Sequence, residues 1–224
     1  IYAGSTMVDI TWHGQACFKI RGRTAAVVVD PYDAVFTGLK TLKLEADIVC
    51  VTHNHQDHNN TSAVKTESGQ DPFVISGPGE FEKMGVNIVG VSSFHDNSQG
   101  QERGKNTIYN ITCDEVNIVH LGDLGQKQLS QEQVEQLSSC DVLLIPTGGT
   151  FTIEGKDAPD IIAQIEPKIV IPMHHKIEGL KFALDPVEKF LSAMGKEKQE
   201  NQNKLSISKE KLPEELELVL LEKQ

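Results

Sequence analysis

The stretch ADIVCVTHNHQDH, residues 46–58, decides how the chain is interpreted. It begins as a continuous apolar run, which is typical of a strand buried on both faces. It ends with four titratable side chains in six positions, His53, His55, Asp57 and His58. The whole sequence holds only 8 histidines, so composition does not explain three of them in so short a segment. The stretch predicts that a core strand leads directly into a metal site.

The types and spacing of these residues suit a pair of divalent ions. In an extended H-x-H segment alternate side chains project to the same side, so His53 and His55 can bind one ion. Asp57 and His58 would then point toward a second ion close by. Neutral imidazole is a preferred donor for zinc and related ions, and carboxylate adds neutralising charge. Water bridging two such ions loses a proton near neutral pH and becomes a nucleophile.

Polar residues also follow other strand-like runs. His95 follows residues 85–94, Asp123 follows 116–121, and His174 and His175 follow 168–173. Ligands collect at strand ends in sheets of this kind. Neighbours on a strand face opposite ways, so at most one of His174 and His175 faces the site. His120 is the rival of His95, but it lies within its strand, where we expect a hydrogen bond that supports a ligand.

Strands dominate the first half of the chain, and strands alternate with helices in the second. We predict strands at 8–14, 16–22, 24–30, 46–53, 72–77, 85–95, 106–113, 115–123, 141–149 and 168–175. Capping residues and helical spacing predict helices at 130–139, 157–167 and 185–195. KLSIS and LELVLL predict two closing strands. The pattern indicates one α/β domain over residues 1–224. Residues 1–6 precede Met7, and we expect them to be a cloning remnant.

Composition restricts the partners and the compartment. A formal net charge of −11 disfavours binding to nucleic acid, although a bound dication would change the local field. The 4 cysteines form no CxxC pair and favour structural thiols in a reducing compartment. No run is apolar enough to span a bilayer, and no signal-peptide pattern is present. We expect a cytoplasmic protein with a small-molecule substrate, and an edge strand near the C-terminus would allow a homo-oligomer.

The motif His53-x-His55-x-Asp57-His58 after a buried strand resembles the signature of the metallo-β-lactamase superfamily. The likeness extends through ITWHGQACFKI (10–20), VVVDPY (27–32), HLGDLG (120–125) and IPMHHK (171–176). These segments are similar to small metal-dependent hydrolases close to the ascorbate-6-phosphate lactonase branch. The resemblance implies a four-layer αβ/βα sandwich, in which two sheets lie face to face with helices outside.

The resemblance also implies a set of site residues. His53, His55 and His95 would hold one metal, Asp57, His58 and His174 the second, and Asp123 would bridge both. Asp57 would also orient the attacking hydroxide as the catalytic residue. His120, Asn106 and His175 are candidates for supporting the ligands or contacting substrate. Zinc is the expected metal, and Mn²⁺ or Fe²⁺ also suits these donors. Relatives commonly carry histidine in place of Gln15, and we expect this departure to affect substrate contacts.

The predicted activity is that of a binuclear metal-dependent hydrolase, in which a metal-bridging hydroxide attacks an ester, lactone or related bond. Three alternatives stay open: a phosphodiesterase or nuclease of the same fold, a β-lactamase, and a non-catalytic metal-binding module. The same fold is compatible with each of these functions, so it does not distinguish among them. The complete ligand set favours an enzyme. Arg103 and Lys105 could bind an anionic or carbonyl group of the substrate, or could lie in a solvated loop.

Overall fold

The computed structural model of the protein describes residues 6–224, so the expectation about residues 1–6 falls outside it except at Thr6. The elements in chain order are β1 (Val8–Gly14), β2 (Cys17–Arg21), β3 (Ala26–Val29), α1 (Ala34–Thr37), β4 (Leu44–Glu45), β5 (Ile48–Val51), β6 (Val64–Lys65), β7 (Phe73–Ser76), β8 (Gly79–Lys83), β9 (Val86–Phe94), β10 (Lys105–Cys113), β11 (Val116–His120), α2 (Gln131–Gln136), β12 (Val142–Pro146), α3 (Ala158–Ile165), β13 (Ile169–Met173), α4 (Val187–Ala193), β14 (Asn201–Gln202), β15 (Leu205–Ile207), β16 (Glu217–Leu218) and β17 (Leu220–Leu221). Two 3-10 turns occupy Thr61–Ala63 and Lys209–Lys211.

Two large sheets form the centre of the fold. One has 6 strands in the order β15-β1-β2-β3-β5-β7, and the other has 7 in the order β16-β13-β12-β11-β10-β9-β8. The strand β5 shows how the core is divided. Ile48 and Cys50 pack between the sheets, whereas Val49 and Val51 pack on the outer face of the six-stranded sheet. All four are buried, which confirms the prediction of a strand covered on both faces.

The helical layers differ between the two outer faces. The helices α2, α3 and α4 cover the seven-stranded sheet, where Ile161 and Phe190 pack against Val119 and Leu143. The outer face of the six-stranded sheet is covered mainly by loop residues such as Tyr32, Leu39 and Leu42, which flank the 4-residue helix α1. The αβ/βα layering that the family resemblance implied is therefore confirmed, with a thin outer layer on the six-stranded side.

Five short elements were not predicted, namely α1, β4, β6, β8 and β14, and one predicted strand is divided in the structure. The strand β8 has the sequence GEFEK and is largely exposed at a sheet edge, so it lacks the apolar run of a core strand. The helix α1 is a single turn between an N-cap at Asp33 and a C-cap at Gly38. LELVLL forms two strands rather than one, since β16 joins β13 and β17 joins β14. Val219 between them points into the inter-sheet core, which separates the two pairings.

The topology brings several strand ends to one edge. The strands β11, β12 and β13 are parallel, and β9 ends at the same edge because β9 and β11 both pair antiparallel with β10. In the six-stranded sheet β3 and β5 run parallel and are followed by Asp30 and Thr52. Among residues 6–224 no helix has the length and apolar character needed to cross a membrane.

Candidate metal centre

Seven side chains meet at this edge of the sandwich, in two groups. The outer cluster consists of His53, His55 and His95, and the inner cluster consists of Asp57, His58, Asp123 and His174. In each cluster, one nitrogen or oxygen atom of every residue lies within 4.8 Å of those of the others. These are the seven residues that the family resemblance implied as ligands, and they come from four separate strand ends.

The segment after β5 is folded tightly rather than extended. The amide of His55 donates to the carbonyl of His53 at 3.1 Å, and the amide of His58 donates to that of His55 at 2.9 Å. The alternate-residue argument for H-x-H was therefore wrong in its geometry. The turn still brings the rings of His53 and His55 together, with 4.5 Å between their centroids. One turn thus supplies side chains to both clusters.

Asp123 lies between the two clusters. Its Oδ2 atom is 3.3 Å from Nε2 of His58 and 3.3 Å from Nε2 of His95. The same oxygen is 3.4 Å from Nε2 of His174 and 3.9 Å from Nε2 of His53. Atoms placed tetrahedrally at about 2.0–2.2 Å from one zinc ion lie about 3.3–3.6 Å apart. Three of the four separations match this spacing and exceed the usual N–H···O hydrogen-bond range.

Asp30, which the sequence analysis did not select, orients both clusters from behind. Its Oδ2 is 2.8 Å from Nδ1 of His58 and accepts a hydrogen bond from the Thr52 hydroxyl at 2.7 Å. The Thr52 hydroxyl is in turn 2.9 Å from Nδ1 of His53. Contacts of this kind fix the ring orientation of a metal-binding histidine. The signal was present, because Asp30 is a polar residue that ends a buried strand, as Asp123 is.

Gln15 also contacts ligand candidates directly. Its side chain is fully buried, and its Nε2 donates to Oδ2 of Asp57 at 3.2 Å and lies 3.3 Å from Nε2 of His174. The expectation that Gln15 affects substrate contacts is therefore corrected, since the residue lies beneath the inner cluster. Gln15, Asp30 and His174 have φ of 49°, 50° and 49°. A left-handed backbone conformation costs about 1–2 kcal/mol for such residues. Residues in this conformation are found preferentially at functional sites.

His120 is placed apart from the ligand candidates. Its Nε2 is 2.8 Å from the carbonyl oxygen of Ala16, and its Nδ1 accepts a hydrogen bond from the amide of Gly122 at 3.0 Å. Both ring nitrogens are therefore occupied by backbone groups. His95, not His120, joins the outer cluster. His120 holds the turn before Asp123 instead of bonding a ligand side chain, which corrects that part of its expected role.

Asn106 supports the same turn from the side. Its Oδ1 accepts a hydrogen bond from the amide of Asp123 at 3.0 Å, and its Nδ2 donates to the carbonyl of Leu121 at 2.9 Å. Gly122 has φ of 57°, and a Cβ there would collide with Oδ1 of Asn106. Asn106 is buried and positions Asp123, and it does not line the cavity above the clusters.

His175 faces away from the clusters. Its ring lies 5.0 Å from the Trp12 ring, and its Nδ1 is 3.3 Å from the carbonyl oxygen of Lys176. It lines a separate cavity together with Trp12. Only His174 of the two adjacent histidines belongs to the inner cluster, but strand alternation is not the reason, because β13 ends at Met173 and His174 has a φ of 49°.

The protonation states of most cluster residues suit metal binding. Burial, assisted by repulsion from His58, lowers the pKa of His53 to about 2, and burial also lowers the pKa of His95. Both rings are therefore neutral at pH 7. Burial raises the pKa of Asp57 and Asp123, but facing histidines such as His58 outweigh it and bring both pKa values below 3.8. Both side chains are therefore carboxylates.

The inner cluster holds a proton where a metal would fit. Burial lowers the pKa of His58, but the carboxylates of Asp123, Asp30 and Asp57 outweigh it and raise the pKa well above its usual value. Metal binding would displace this proton. Within residues 6–224, these buried polar atoms of the clusters have no hydrogen-bond partner: His53 Nε2, His58 Nε2, His95 Nδ1, Asp123 Oδ1 and His174 Nδ1. Such unpaired buried atoms are costly, and divalent ions would satisfy those aimed into the clusters.

Comparison with known proteins places the chain among similar folds. A β-lactamase superfamily domain model matches residues 9–174, a range that contains all seven clustered side chains. A metal-dependent hydrolase of Thermoplasma acidophilum is 30% identical, covering 84% of this chain and 91% of that protein. A crystal structure of a Thermotoga maritima protein of the metallo-β-lactamase superfamily is 34% identical, covers 96% of this chain and 100% of that one, and has a TM-score of 0.75.

A more distant structure shows likeness in fold alone. A metallo hydrolase of Ignicoccus hospitalis covers 90% of this chain and 99% of that one, with 20% identity and a TM-score of 0.64. None of these three proteins is described as an ascorbate-6-phosphate lactonase. That branch therefore stays a prediction from the sequence.

Proposed function

This chain belongs to the β-lactamase superfamily as a metal-dependent hydrolase, and we propose that it uses two divalent metal ions to hydrolyse an ester, a lactone or a related bond. The position of Asp123 carries the proposal, since its Oδ2 lies 3.3 Å from one histidine of each cluster. A carboxylate so placed would bridge two ions, one held by the outer cluster and one by the rest of the inner cluster. Zinc is the expected metal, because imidazole and carboxylate are its usual donors.

The side chains have separate tasks in the reaction. Divalent ions, when bound, lower the pKa of water and polarise a carbonyl oxygen. Asp57 would accept a hydrogen bond from the attacking water and aim its oxygen, because its carboxylate is ionised and Gln15 holds it at 3.2 Å. Asp30 keeps Nε2 of His58 directed at the cluster through its 2.8 Å contact with Nδ1.

The chemical balance of the reaction is simple. The oxygen of water forms a bond to the carbonyl carbon, and the bond from that carbon to the ester oxygen breaks. A proton of the water ends on the leaving alcohol oxygen, and the acid product ionises at neutral pH. No covalent intermediate with a serine or cysteine is needed.

We also propose a single domain over residues 1–224 that acts on a small molecule in the cytoplasm. All four cysteines are free and buried, which favours a reducing compartment. The net charge of −11 disfavours a polyanionic substrate. A homo-oligomer stays a prediction, and β15 at the edge of the six-stranded sheet is the strand that would pair.

The test combines metal content with turnover. Protein purified without chelator or added metal should contain close to two ions per chain by elemental mass spectrometry. A panel of γ-butyrolactone, bis-p-nitrophenyl phosphate and a chromogenic cephalosporin should give turnover of the lactone that a chelator abolishes. The variant Asp57→Asn should lower kcat at least about 10³-fold. Turnover of only the phosphodiester or only the cephalosporin would replace the proposed bond type. Absence of metal after reloading with Zn²⁺ or Mn²⁺ would leave a non-catalytic module.

A further inference from the structure

A cavity of about 540 Å³ opens directly above the two clusters. Its floor includes His55, Asp57, His95 and Asp123, so anything bound in it lies against the candidate metal centre. The volume falls in the range of small-molecule sites. The walls of this cavity are therefore the part of the chain that would distinguish one substrate from another.

Three phenylalanine rings from three separate segments form one wall of the cavity. Phe36 belongs to α1, Phe151 follows β12 and Phe182 follows β13. The ring of Phe182 lies 5.2 Å from that of Phe36 and 6.2 Å from that of Phe151. Phe36 is 41% exposed and Phe151 is 36% exposed, which leaves their apolar surface in water. Apolar rings gathered and exposed beside polar groups are typical of a ligand-binding wall.

One cation stands at the edge of this wall. The guanidinium of Arg103 lies 5.6 Å from the centre of the Phe151 ring and donates to the carbonyl of Thr150 at 2.9 Å. Asp96 holds the Arg103 backbone, whose amide donates to Asp96 Oδ2 at 2.8 Å. In the described part of the chain no carboxylate forms an ion pair with Arg103. Its charge is therefore available to one oxygen of a substrate.

We propose that the substrate is an ester or lactone with an apolar alkyl group, which packs on Phe36, Phe151 and Phe182 while Arg103 contacts a carboxyl or carbonyl oxygen. This inference rests on the proposed hydrolase function and adds the substrate class. A phosphorylated sugar or a nucleic acid fits poorly, since one wall is apolar and the single arginine has Glu102 beside it in the lining. The bond changes are those of ester hydrolysis described above.

The experiment compares γ-butyrolactone with γ-octalactone, which differ by a four-carbon chain, on the zinc-loaded protein. A buried methylene contributes about 0.8 kcal/mol, so even partial burial of the chain should raise kcat/KM at least about tenfold. Phe182→Ala should reduce this ratio to about twofold or less. Phe151→Ala should also reduce this ratio, and it replaces Phe182→Ala as the test if that variant does not fold. Phe73→Ala, which removes a 45% exposed ring outside the cavity, should keep the wild-type ratio.

Binding of the hydrolysis products separates the two proposals. Calorimetry should show 4-hydroxyoctanoate binding at least about tenfold more tightly than 4-hydroxybutyrate. Arg103→Gln should weaken both products equally and leave the ratio intact. Turnover of both lactones at one rate, with no effect of Phe182→Ala, would overturn the substrate class and leave the hydrolase function standing. If neither lactone is hydrolysed, the proposed ester hydrolysis is wrong. If, in addition, the two products bind equally or not at all, the proposal that the phenylalanine wall binds an apolar group is wrong as well.

Discussion

Asp123 of the inner cluster lies 3.3 Å from His95 of the outer cluster, but the two clusters differ in their surroundings. All four inner residues are buried, and His58 is hydrogen-bonded to Asp30 at 2.8 Å. In the outer cluster His55 is exposed, and within residues 6–224 its ring has no hydrogen-bond partner. Buried donors held by buried partners are preorganised for an ion, whereas an exposed ring loses rotamer freedom when it binds. The comparison teaches that the inner cluster should bind the first ion and the outer cluster the second.

The backbone shows the same contrast. Gln15, Asp30 and His174 all have left-handed φ, and all three contact or belong to the inner cluster. Strain of this kind persists only where the surrounding structure holds it. The inner cluster is therefore a rigid part of the core, and the outer cluster opens into the cavity where substrate would approach. Four predictions test this contrast.

The largest effect is expected for Asp123→Asn, which removes the charge shared by both clusters. We expect fewer than one ion per chain and a loss of at least about 10⁴-fold in kcat/KM, because two ions would lose their common ligand. Elemental mass spectrometry and lactone turnover measure the two quantities. Asp71→Asn, at an exposed carboxylate, is the matched control and should keep both ions. Two ions retained in Asp123→Asn would remove the reason for treating the clusters as one centre.

Asp30→Ala should destabilise the protein and weaken the inner ion together. His58 and Thr52 would lose a buried partner, which costs about 3–5 kcal/mol of unfolding free energy. Affinity for the inner ion should fall about 10–100-fold, as for other lost partners of metal-binding histidines. Urea unfolding of the metal-free protein and competitive zinc titration report these effects. Asp47→Ala removes a carboxylate that bonds the Ala26 amide away from the clusters, and should lower stability without changing zinc affinity.

His55→Ala compared with His58→Ala is the direct test of the contrast. His55→Ala should lower metal content from two ions to one and change the unfolding free energy of the metal-free protein by less than about 0.5 kcal/mol, since the residue is exposed. His58→Ala should lose the inner ion and lower the unfolding free energy by about 1–3 kcal/mol, because the buried Asp30 carboxylate loses its histidine partner. Equal effects of the two substitutions on metal content and on stability would contradict the difference between the clusters.

The smallest effect concerns Asp96, whose carboxylate holds the loop after His95. Burial raises its pKa, but the backbone amides of residues 98, 100, 102 and 103 outweigh burial and lower the pKa to about 2. Stability from this carboxylate is therefore present above its unfolded pKa of 3.8 and is lost as pH falls toward 2. Asp96→Asn should lower stability by about 1 kcal/mol near pH 7. Urea unfolding from pH 7 to pH 2.5 should show the difference between variant and wild type shrinking below about pH 4, and a constant difference would contradict the assignment.

Much of the architecture could be predicted from local patterns. The strands β3, β5, β12 and β13 are apolar runs buried on both faces, whereas β1 and β10 alternate apolar and polar residues, and both patterns can be recognised locally. The elements that escaped prediction are short or exposed, such as α1 and β8. The strand β8 forms because it pairs with β9, whereas α1 is a single turn too short to show helical periodicity despite its caps. The spacing of His53, His55, Asp57 and His58 predicted a ligand group without any knowledge of the fold.

The sequence by itself determined which strands form the core and which side chains end them, because hydrophobic periodicity and residue chemistry are local properties. Only the tertiary structure places His95 in the outer cluster and His120 apart from it, because both ring nitrogens of His120 contact backbone groups. Only the tertiary structure also shows that Asp30 and Gln15 contact residues of the inner cluster, and that Phe36, Phe151 and Phe182 lie together. Those contacts join residues from 22 to 159 positions apart, and no local pattern encodes distances across a fold.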